Sequence, residues 1–174
     1  MGGPVTKIAS KRLRQSSATA AGRCACGAVR LEIDFPAFWA WHDHSRATQL
    51  AHGAAYATYV GVWKSRVRVT LGNNRIVRFK DNALKTTRSF CATCGTPVLY
   101  ERSRSAKMVN LPRALFETRT GREPRYHIAL EESPDWEYRG EALGPLKGFP
   151  GVLWARPRKK GTAAKTNHAW RSDG

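Results

Sequence analysis

Acidic residues are scarce in this chain of 174 residues, which has 13 Asp and Glu against 30 Lys and Arg and a formal net charge of +17. Long apolar runs are also missing, since no stretch approaches the roughly 18 residues of a membrane-spanning helix. Residues 1–22 lack the apolar middle of a secretory signal peptide, so we expect a cytoplasmic protein. A mitochondrial transit peptide is the alternative for this basic, acid-free segment, but it shows no clear amphipathic repeat. The Gly- and Pro-rich segment 144–151 lacks the G-x-x-x-x-G-K-[ST] pattern, which excludes a P-loop there.

The positive charge is concentrated at both ends of the chain. Residues 1–22 contain four Lys or Arg and no acid, and residues 155–174 contain six Lys or Arg and one acid, Asp173. The two ends therefore carry +9 of the net charge of +17. We predict a disordered basic lead-in (1–22) and a disordered basic tail (155–174) around one domain (23–154). Such charge favours contact with a polyanion or simply solubility.

The middle of the chain is expected to fold as an all-β domain. Residues 28–35 alternate apolar and polar side chains, as a half-buried strand does. Residues 63–71 alternate in the same way, and Asn73-Asn74 then predicts a turn into a strand over 75–79, so that the two strands form a hairpin. No long stretch has a helical period. Further strands are predicted at 55–62, 97–100 and 126–130.

Cysteine is rare, and its four occurrences form two close pairs that are each followed by glycine. The pairs are Cys24 with Cys26 and Cys91 with Cys94. A reducing compartment disfavours disulfides, so this spacing favours one structural zinc ion, with disulfides or free thiols as the alternative. In an ideal strand residues i and i+2 share a face, which would bring both thiols of the first pair to one side of the ion. Four protein ligands leave no open position for catalysis.

These motifs resemble those of the family of glutathione-dependent formaldehyde-activating enzymes and centromere protein V. The resemblance covers about residues 20–137, and it rests on Cys24-x-Cys26-Gly27-Ala28-Val29-Arg30, on Phe90-Cys91-x-x-Cys94-Gly95-Thr96, and on His127-Ile128 followed by Trp136. It implies an Mss4-like β-tent of antiparallel sheets stapled by the four-cysteine zinc site. It also implies a carbon–sulfur lyase that acts on S-hydroxymethylglutathione or a related thiol adduct, with glutathione or such an adduct as its small-molecule partner.

The chain departs from the family pattern at a second site. The resemblance implies a second zinc near the substrate, held by a C-x-C-x-x-C motif that is followed by Arg. Arg46 matches that Arg, but Ala40, His42 and Ser45 stand at the three cysteine positions. The thiolate ligands are therefore absent, and His42 and His44 remain as candidate ligands two residues apart.

Two interpretations of these histidines stay open. In the first, His42 and His44 face one side of a strand and bind a second metal, with His52 or a water as third ligand, and together with Arg46 they form the catalytic group. In the second, they are polar strand or loop residues, and Asp43 pairs with a neighbour such as Arg46.

His127 is the candidate substrate-binding residue, because the resemblance places it in the substrate pocket; a structural histidine is the alternative. The leading hypothesis is thus a zinc-binding lyase with an altered second metal site. The alternative is a non-catalytic, zinc-stapled module that binds a polyanion such as nucleic acid through its basic tails. A scaffold whose second site has decayed is a third possibility.

Overall fold

The computed structural model describes residues 18–137 and 143–155. These residues contain twelve β-strands and one short α-helix, which confirms the predicted all-β class. Within them, no helix is long and apolar enough to cross a membrane. The strands are β1 (Thr19–Arg23), β2 (Arg30–Asp34), β3 (Trp39–Asp43), β4 (Ala57–Trp63), β5 (Val67–Leu71), β6 (Ile76–Asp81), β7 (Thr86–Cys91), β8 (Pro97–Arg102), β9 (Met108–Pro112), β10 (Tyr126–Ile128), β11 (Leu143–Pro145) and β12 (Val152–Ala155), and the helix is α1 (Arg46–His52).

The described chain divides into two units, each of which is compact by itself. The first unit comprises residues 18–40 and 58–124, and the second comprises 41–57, 125–137 and 143–155. All four cysteines belong to the first unit, whereas His42, His44 and His127 belong to the second.

One antiparallel sheet of the first unit has the strand order β1-β2-β5. In β2 the side chains of Leu31 and Ile33 are buried, while Glu32 and Asp34 are only partly covered, so the alternation seen in the sequence is real. Strand β1 begins at Thr19 and therefore lies partly inside the predicted lead-in. Residues 1–17 of that lead-in, and residues 156–174 of the predicted basic tail, lie outside the described residues.

The remaining strands of the first unit follow the order β4-β9-β8-β7-β6, and every neighbouring pair is antiparallel. Their buried side chains and those of β1 and β2 form one apolar core. Its members include two cysteines among aliphatic residues: Ala20, Cys24, Val29, Leu31, Ile33, Ala37, Ala40, Val60, Val62, Cys91, Val98, Val109, Leu111, Leu115 and Phe116. Two of the four metal-ligand candidates, Cys24 and Cys91, are thus built into this core.

The predicted hairpin around Asn73 and Asn74 is wrong. The strand β5 pairs with β2 in the first sheet, whereas β6 pairs with β7 in the other. Between them Gly72 adopts a left-handed conformation (φ 74°) and a 3-10 turn covers Asn73–Arg75. A turn does form at Asn73 and Asn74, but it carries the chain from one sheet to another instead of pairing β5 with β6.

In the second unit the strand order is β11-β12-β10-β3. Strands β10 and β3 run parallel, and their register places His127 opposite His42. The seven-residue helix α1 follows β3 closely and ends at Gly53, whose left-handed φ of 60° allows the C-cap. This helix was not predicted, because seven residues are too few to display a helical period.

Candidate functional site

The four cysteine thiols of the first unit meet in one cluster. The Sγ atoms of Cys24 and Cys26 are 3.5 Å apart, and those of Cys26 and Cys91 are 3.9 Å apart. With Cys94 included, all four sulfurs lie within 4.8 Å of one another. Among residues 18–137 and 143–155 this is the one group of three or more Cys, His, Asp or Glu ligand atoms gathered closely enough to hold a metal ion.

These separations fit a tetrahedral ion bound by four sulfurs. At a metal–sulfur distance of ~2.3 Å the sulfurs of a regular tetrahedron are about 3.8 Å apart. Cys24 and Cys91 are buried in the core, and Cys26 and Cys94 are exposed. An ion in this position would therefore tie the core of the first unit to two surface turns.

Tight turns, rather than a strand, bring the first pair together. Strand β1 ends at Arg23, and the amide of Gly27 donates to the carbonyl oxygen of Cys24 at 3.0 Å, closing a turn. The expectation that Cys24 and Cys26 share one face of a strand is therefore wrong, although their thiols do converge. Gly27 has a φ of 74°, a left-handed conformation that side chains with a Cβ rarely adopt.

The second pair uses an equivalent turn at the end of β7. The amide of Gly95 donates to the carbonyl oxygen of Cys91 at 2.8 Å, and Gly95 has a φ of 71°. The amide of Cys91 donates to the carbonyl oxygen of Thr96 at 3.0 Å. In both pairs the trailing glycine thus turns the chain back so that the two sulfurs point toward one place.

The hydroxyl of Thr96 connects the two turns. It accepts a hydrogen bond from the amide of Ala25 at 3.2 Å, and its oxygen lies 3.1 Å from the Sγ of Cys94. Because the hydroxyl accepts from Ala25, its own proton is available to donate to the Cys94 sulfur. This hydroxyl and the Thr96 amide lower the pKa of the Cys94 thiol to about 5, which favours the thiolate that a metal requires.

The other thiols respond to their own neighbours. For Cys24, burial raises the pKa, but the amide of Val29, 3.2 Å from its sulfur, and the thiols around it outweigh burial and lower the pKa overall. For Cys26, the amide of Ala28 lowers the pKa, but the Cys94 sulfur and burial outweigh it and raise the pKa to about 11. The pKa values of neighbouring thiols thus shift in opposite directions, as expected for sulfurs that share one set of hydrogen-bond donors.

The second unit contains a cluster of three histidines. The ring centres of His42 and His127 are 4.6 Å apart, and those of His44 and His127 are 5.1 Å apart in a stacked arrangement. The ring of Tyr56 lies 5.2 Å from His42 and 4.9 Å from His44. His42 lies in β3, His44 follows its last residue, and His127 comes from the neighbouring parallel strand β10.

Both ring nitrogens of His44 have partners, and its side chain is only 1% exposed. Its Nε2 lies 2.9 Å from the Nδ1 of His127. Its Nδ1 lies 3.0 Å and 3.2 Å from the two carboxylate oxygens of Glu137, and 3.0 Å from the hydroxyl oxygen of Ser133. His44 therefore sits between a carboxylate and a second imidazole.

The other candidates at this site have structural contacts. Asp43 is fully buried, and its carboxylate accepts the amide of Ser45 at 3.0 Å. Arg46 begins α1; its amide donates to the Glu132 carboxylate at 2.6 Å, and its guanidinium donates to Gln49 at 3.4 Å. His127 is a histidine in contact with His44, and His52 is the last residue of α1.

A second metal held by His42 and His44 stays a prediction, and the donor set does not favour it. Ala40, at one of the lost cysteine positions, is buried in the core of the first unit and offers no ligand atom. Both nitrogens of His44 are engaged in hydrogen bonds. The residues present do not fit the thiolate-bound zinc that the resemblance implies for this position.

The sequence did not predict a site role for four residues of these clusters: Tyr56, Thr96, Ser133 and Glu137. Thr96 carried a signal, since it directly follows the Cys-x-x-Cys-Gly motif and a hydroxyl in such a turn can reach a sulfur. Glu137 is separated from His44 by 93 residues, and nothing in its local sequence marks it as a partner of that histidine.

Comparison with known proteins identifies a family to which the sequence is similar. The sequence profile of the family described as "Glutathione-dependent formaldehyde-activating enzyme" matches residues 19–132. A solved crystal structure of a Rhodobacter sphaeroides protein, a structural-genomics target, is 21% identical to this chain with a TM-score of 0.49, and the alignment covers 56% of this chain and 87% of that one. No curated protein matches the chain significantly.

Proposed function

Because the chain belongs to the family of glutathione-dependent formaldehyde-activating enzymes, whose profile spans residues 19–132, we propose that it is a carbon–sulfur lyase acting on S-hydroxymethylglutathione or a related thiol adduct. Cys24, Cys26, Cys91 and Cys94 hold a zinc ion in this proposal. With four protein ligands that zinc supplies stability and no open coordination position.

The histidine cluster is the observation that carries the proposal. His42 and His44 lie in the stretch where the family resemblance implies the substrate-side site, and the fold brings His127 against both rings. Imidazoles are the side chains best suited to take up and return protons near neutral pH. The chain therefore has acid–base groups where the family pattern has thiolate ligands.

Cleavage of S-hydroxymethylglutathione needs two proton transfers. A base takes the proton of the hydroxyl, the oxygen electrons form the C=O bond of formaldehyde, and the C–S bond breaks with its electron pair on sulfur. The departing glutathione thiolate then takes up a proton. We assign these transfers to the cluster of His42, His44 and His127, and the binding of a glutathione carboxylate to Arg46.

A lyase assay on the full zinc-loaded chain tests this function. Exchange between labelled formaldehyde and its glutathione adduct is followed by NMR, with the uncatalysed rate subtracted. Wild type should accelerate the exchange, and the variants His127→Gln and His42→Asn/His44→Asn should lose about a hundredfold in kcat, the usual contribution of acid–base catalysis. A wild-type rate equal to the uncatalysed rate refutes the proposal.

The variant His52→Asn is the matched control. It removes an imidazole from the C-terminal end of α1 rather than from the cluster, and we expect its activity to stay within about twofold of wild type. Metal content is measured on the same samples. One zinc per chain in wild type and in every histidine variant agrees with acid–base chemistry at the cluster, whereas two metals falling to one in the double variant would restore the second-metal hypothesis.

Contact with a polyanion is a separate, secondary proposal. It rests on the +9 carried by residues 1–22 and 155–174, which is more than half of the net charge. Binding of this kind releases counterions, so it depends strongly on salt and little on sequence. It is compatible with lyase activity, because no residue of the histidine cluster belongs to these two segments.

A further inference from the structure

Glu137 makes a close carboxylate contact with the histidine cluster. Its two carboxylate oxygens lie 3.0 Å and 3.2 Å from the Nδ1 of His44. The side chain of Glu137 is 3% exposed and that of His44 is 1% exposed, so solvent screens this contact very little. A buried carboxylate needs hydrogen-bond donors, and His44 supplies one here.

The chemistry of the groups sets the direction of each hydrogen bond. The Nδ1 of His44 faces the Glu137 carboxylate and the Ser133 hydroxyl, which lies 3.0 Å away. An ionised carboxylate only accepts, whereas a hydroxyl can accept as well as donate, so we assign the proton of neutral His44 to Nδ1. Its Nε2 is then the acceptor, and the Nδ1 of His127, 2.9 Å away, must be the donor. In neutral His127 this leaves Nε2 as the basic nitrogen.

Hydrogen bonds connect residues 130–137, the segment that contains Glu137, to the β3–α1 connection. The side-chain amide of Gln49 donates to the carbonyl oxygen of His44 at 2.7 Å and to that of Glu132 at 2.9 Å. The Glu132 carboxylate also accepts the first amide of α1. These bonds place residues 130–137 beside His44, so the carboxylate contact does not depend on Glu137 alone.

From these contacts we propose that Glu137 is a positioning residue, whose carboxylate fixes the tautomer of His44 and, through His44, makes Nε2 of His127 the catalytic base. The kinetic part of this inference rests on the proposed lyase function, whereas the tautomer part does not. In the order Glu137, His44, His127, each group determines which nitrogen of the next carries the proton. In this proposal no metal is needed to decide which nitrogen of His127 is basic.

Nitrogen-15 NMR of the histidine rings in the full zinc-loaded chain tests the tautomers directly. We expect both His44 and His127 to carry their proton on Nδ1, the less common form of free histidine. In Glu137→Gln the amide can donate as well as accept, and we expect both rings to move to the Nε2-protonated form. Wild-type rings protonated on Nε2, or tautomers that do not change in Glu137→Gln, would overturn the proposal.

Kinetics supply the second readout. In an active enzyme Glu137→Gln should lower kcat by about a hundredfold with KM within about threefold, and Glu137→Asp, which keeps the carboxylate, should recover part of the loss. The control Glu131→Gln makes the same chemical change at an exposed residue of the same segment and should leave kcat unchanged. An unchanged kcat in Glu137→Gln refutes the kinetic part.

The NMR and kinetic experiments together separate the proposed lyase function from the proposed role of Glu137. If wild type shows no lyase activity but has the expected tautomers, the proposed function fails and the positioning of His44 by Glu137 stands. If activity is present and the tautomers are wrong, the function stands and the inference fails. Should Glu137→Gln not fold, the wild-type tautomers alone decide.

Discussion

Replacing Thr96 by valine should weaken zinc binding while leaving all four cysteine ligands in place. Valine has the shape of threonine but no hydroxyl, so it loses the hydrogen bond to the Cys94 sulfur (3.1 Å) and the one from the Ala25 amide (3.2 Å). A hydrogen bond to an ionised group contributes about 1.5–3 kcal/mol, and this site is partly open to water, so we take about 1.5 kcal/mol. At 1.4 kcal/mol per factor of ten, zinc affinity should fall about tenfold, the low end of what loss of a metal ligand's hydrogen-bond partner causes.

Competition with a chelator of known affinity measures this change. Cobalt substitution provides a check, because the thiolate-to-cobalt absorption bands report whether four sulfurs still bind the ion. The matched control is Thr96→Ser, which keeps the hydroxyl and should stay within about threefold of wild type. Equal affinities of Thr96→Val and wild type would refute the assigned role of the hydroxyl, and a serine variant as weak as the valine variant would attribute the loss to packing instead.

Three further predictions concern stability and charge. Gly72→Ala should lower the free energy of unfolding by more than about 3 kcal/mol, because the new Cβ would lie 2.0 Å from the Ala28 carbonyl oxygen at a φ of 74°. Gly53→Ala is the control: its Cβ would have nothing within 4 Å, so only the left-handed φ should cost stability, about 1 kcal/mol. Urea unfolding compares the two variants. Leu111→Ala, at a fully buried position of the core, should cost about 2–5 kcal/mol in the same assay, and a loss below 1 kcal/mol would contradict its place in the core. Deleting residues 1–17 and 156–174 removes ten Lys or Arg, so affinity for single-stranded DNA and its salt dependence, measured by fluorescence anisotropy, should both fall while zinc content stays the same; unchanged DNA affinity would place the contact elsewhere.

Patterns confined to short stretches of sequence predicted much of this fold. The alternation in 28–35 specified β2 because Leu31 and Ile33 have one face to bury, and two Cys pairs with trailing glycines specified a thiol cluster. Both of these predictions are independent of how the strands pair in the sheets. The hairpin failed for that reason, since a turn signal states where the chain bends and not which edge the next strand joins.

In the histidine cluster too, residues close in sequence could be predicted, whereas contacts between residues distant in sequence could not. His42 and His44 could be recognised as a pair from their spacing and from the resemblance. The hydrogen-bond partners of His44 include His127 and Glu137, which are 83 and 93 residues away from it in sequence. The parallel pairing of β10 with β3 and the hydrogen bonds between residues 130–137 and the β3–α1 connection bring these groups together. Sequence spacing therefore suggested His42 and His44 as metal ligands, whereas in the fold the two ring nitrogens of His44 contact a carboxylate and an imidazole.

The distribution of these groups between the two units has a consequence for the chemistry. All four candidate zinc ligands belong to the first unit, and Cys24 and Cys91 among them are buried in its core, so we expect loss of the ion to unfold that unit rather than merely to lower a rate. The imidazoles of the histidine cluster belong to the second unit, where the carboxylate of Glu137 contacts His44. A Lewis acid activates an oxygen through its charge, whereas an oriented imidazole must exchange a proton with the substrate. The lyase proposed here should therefore show a solvent deuterium isotope effect on kcat, since a proton moves in the step that breaks the C–S bond, and the absence of any such effect with chemistry rate-limiting would argue against acid–base catalysis by the histidines.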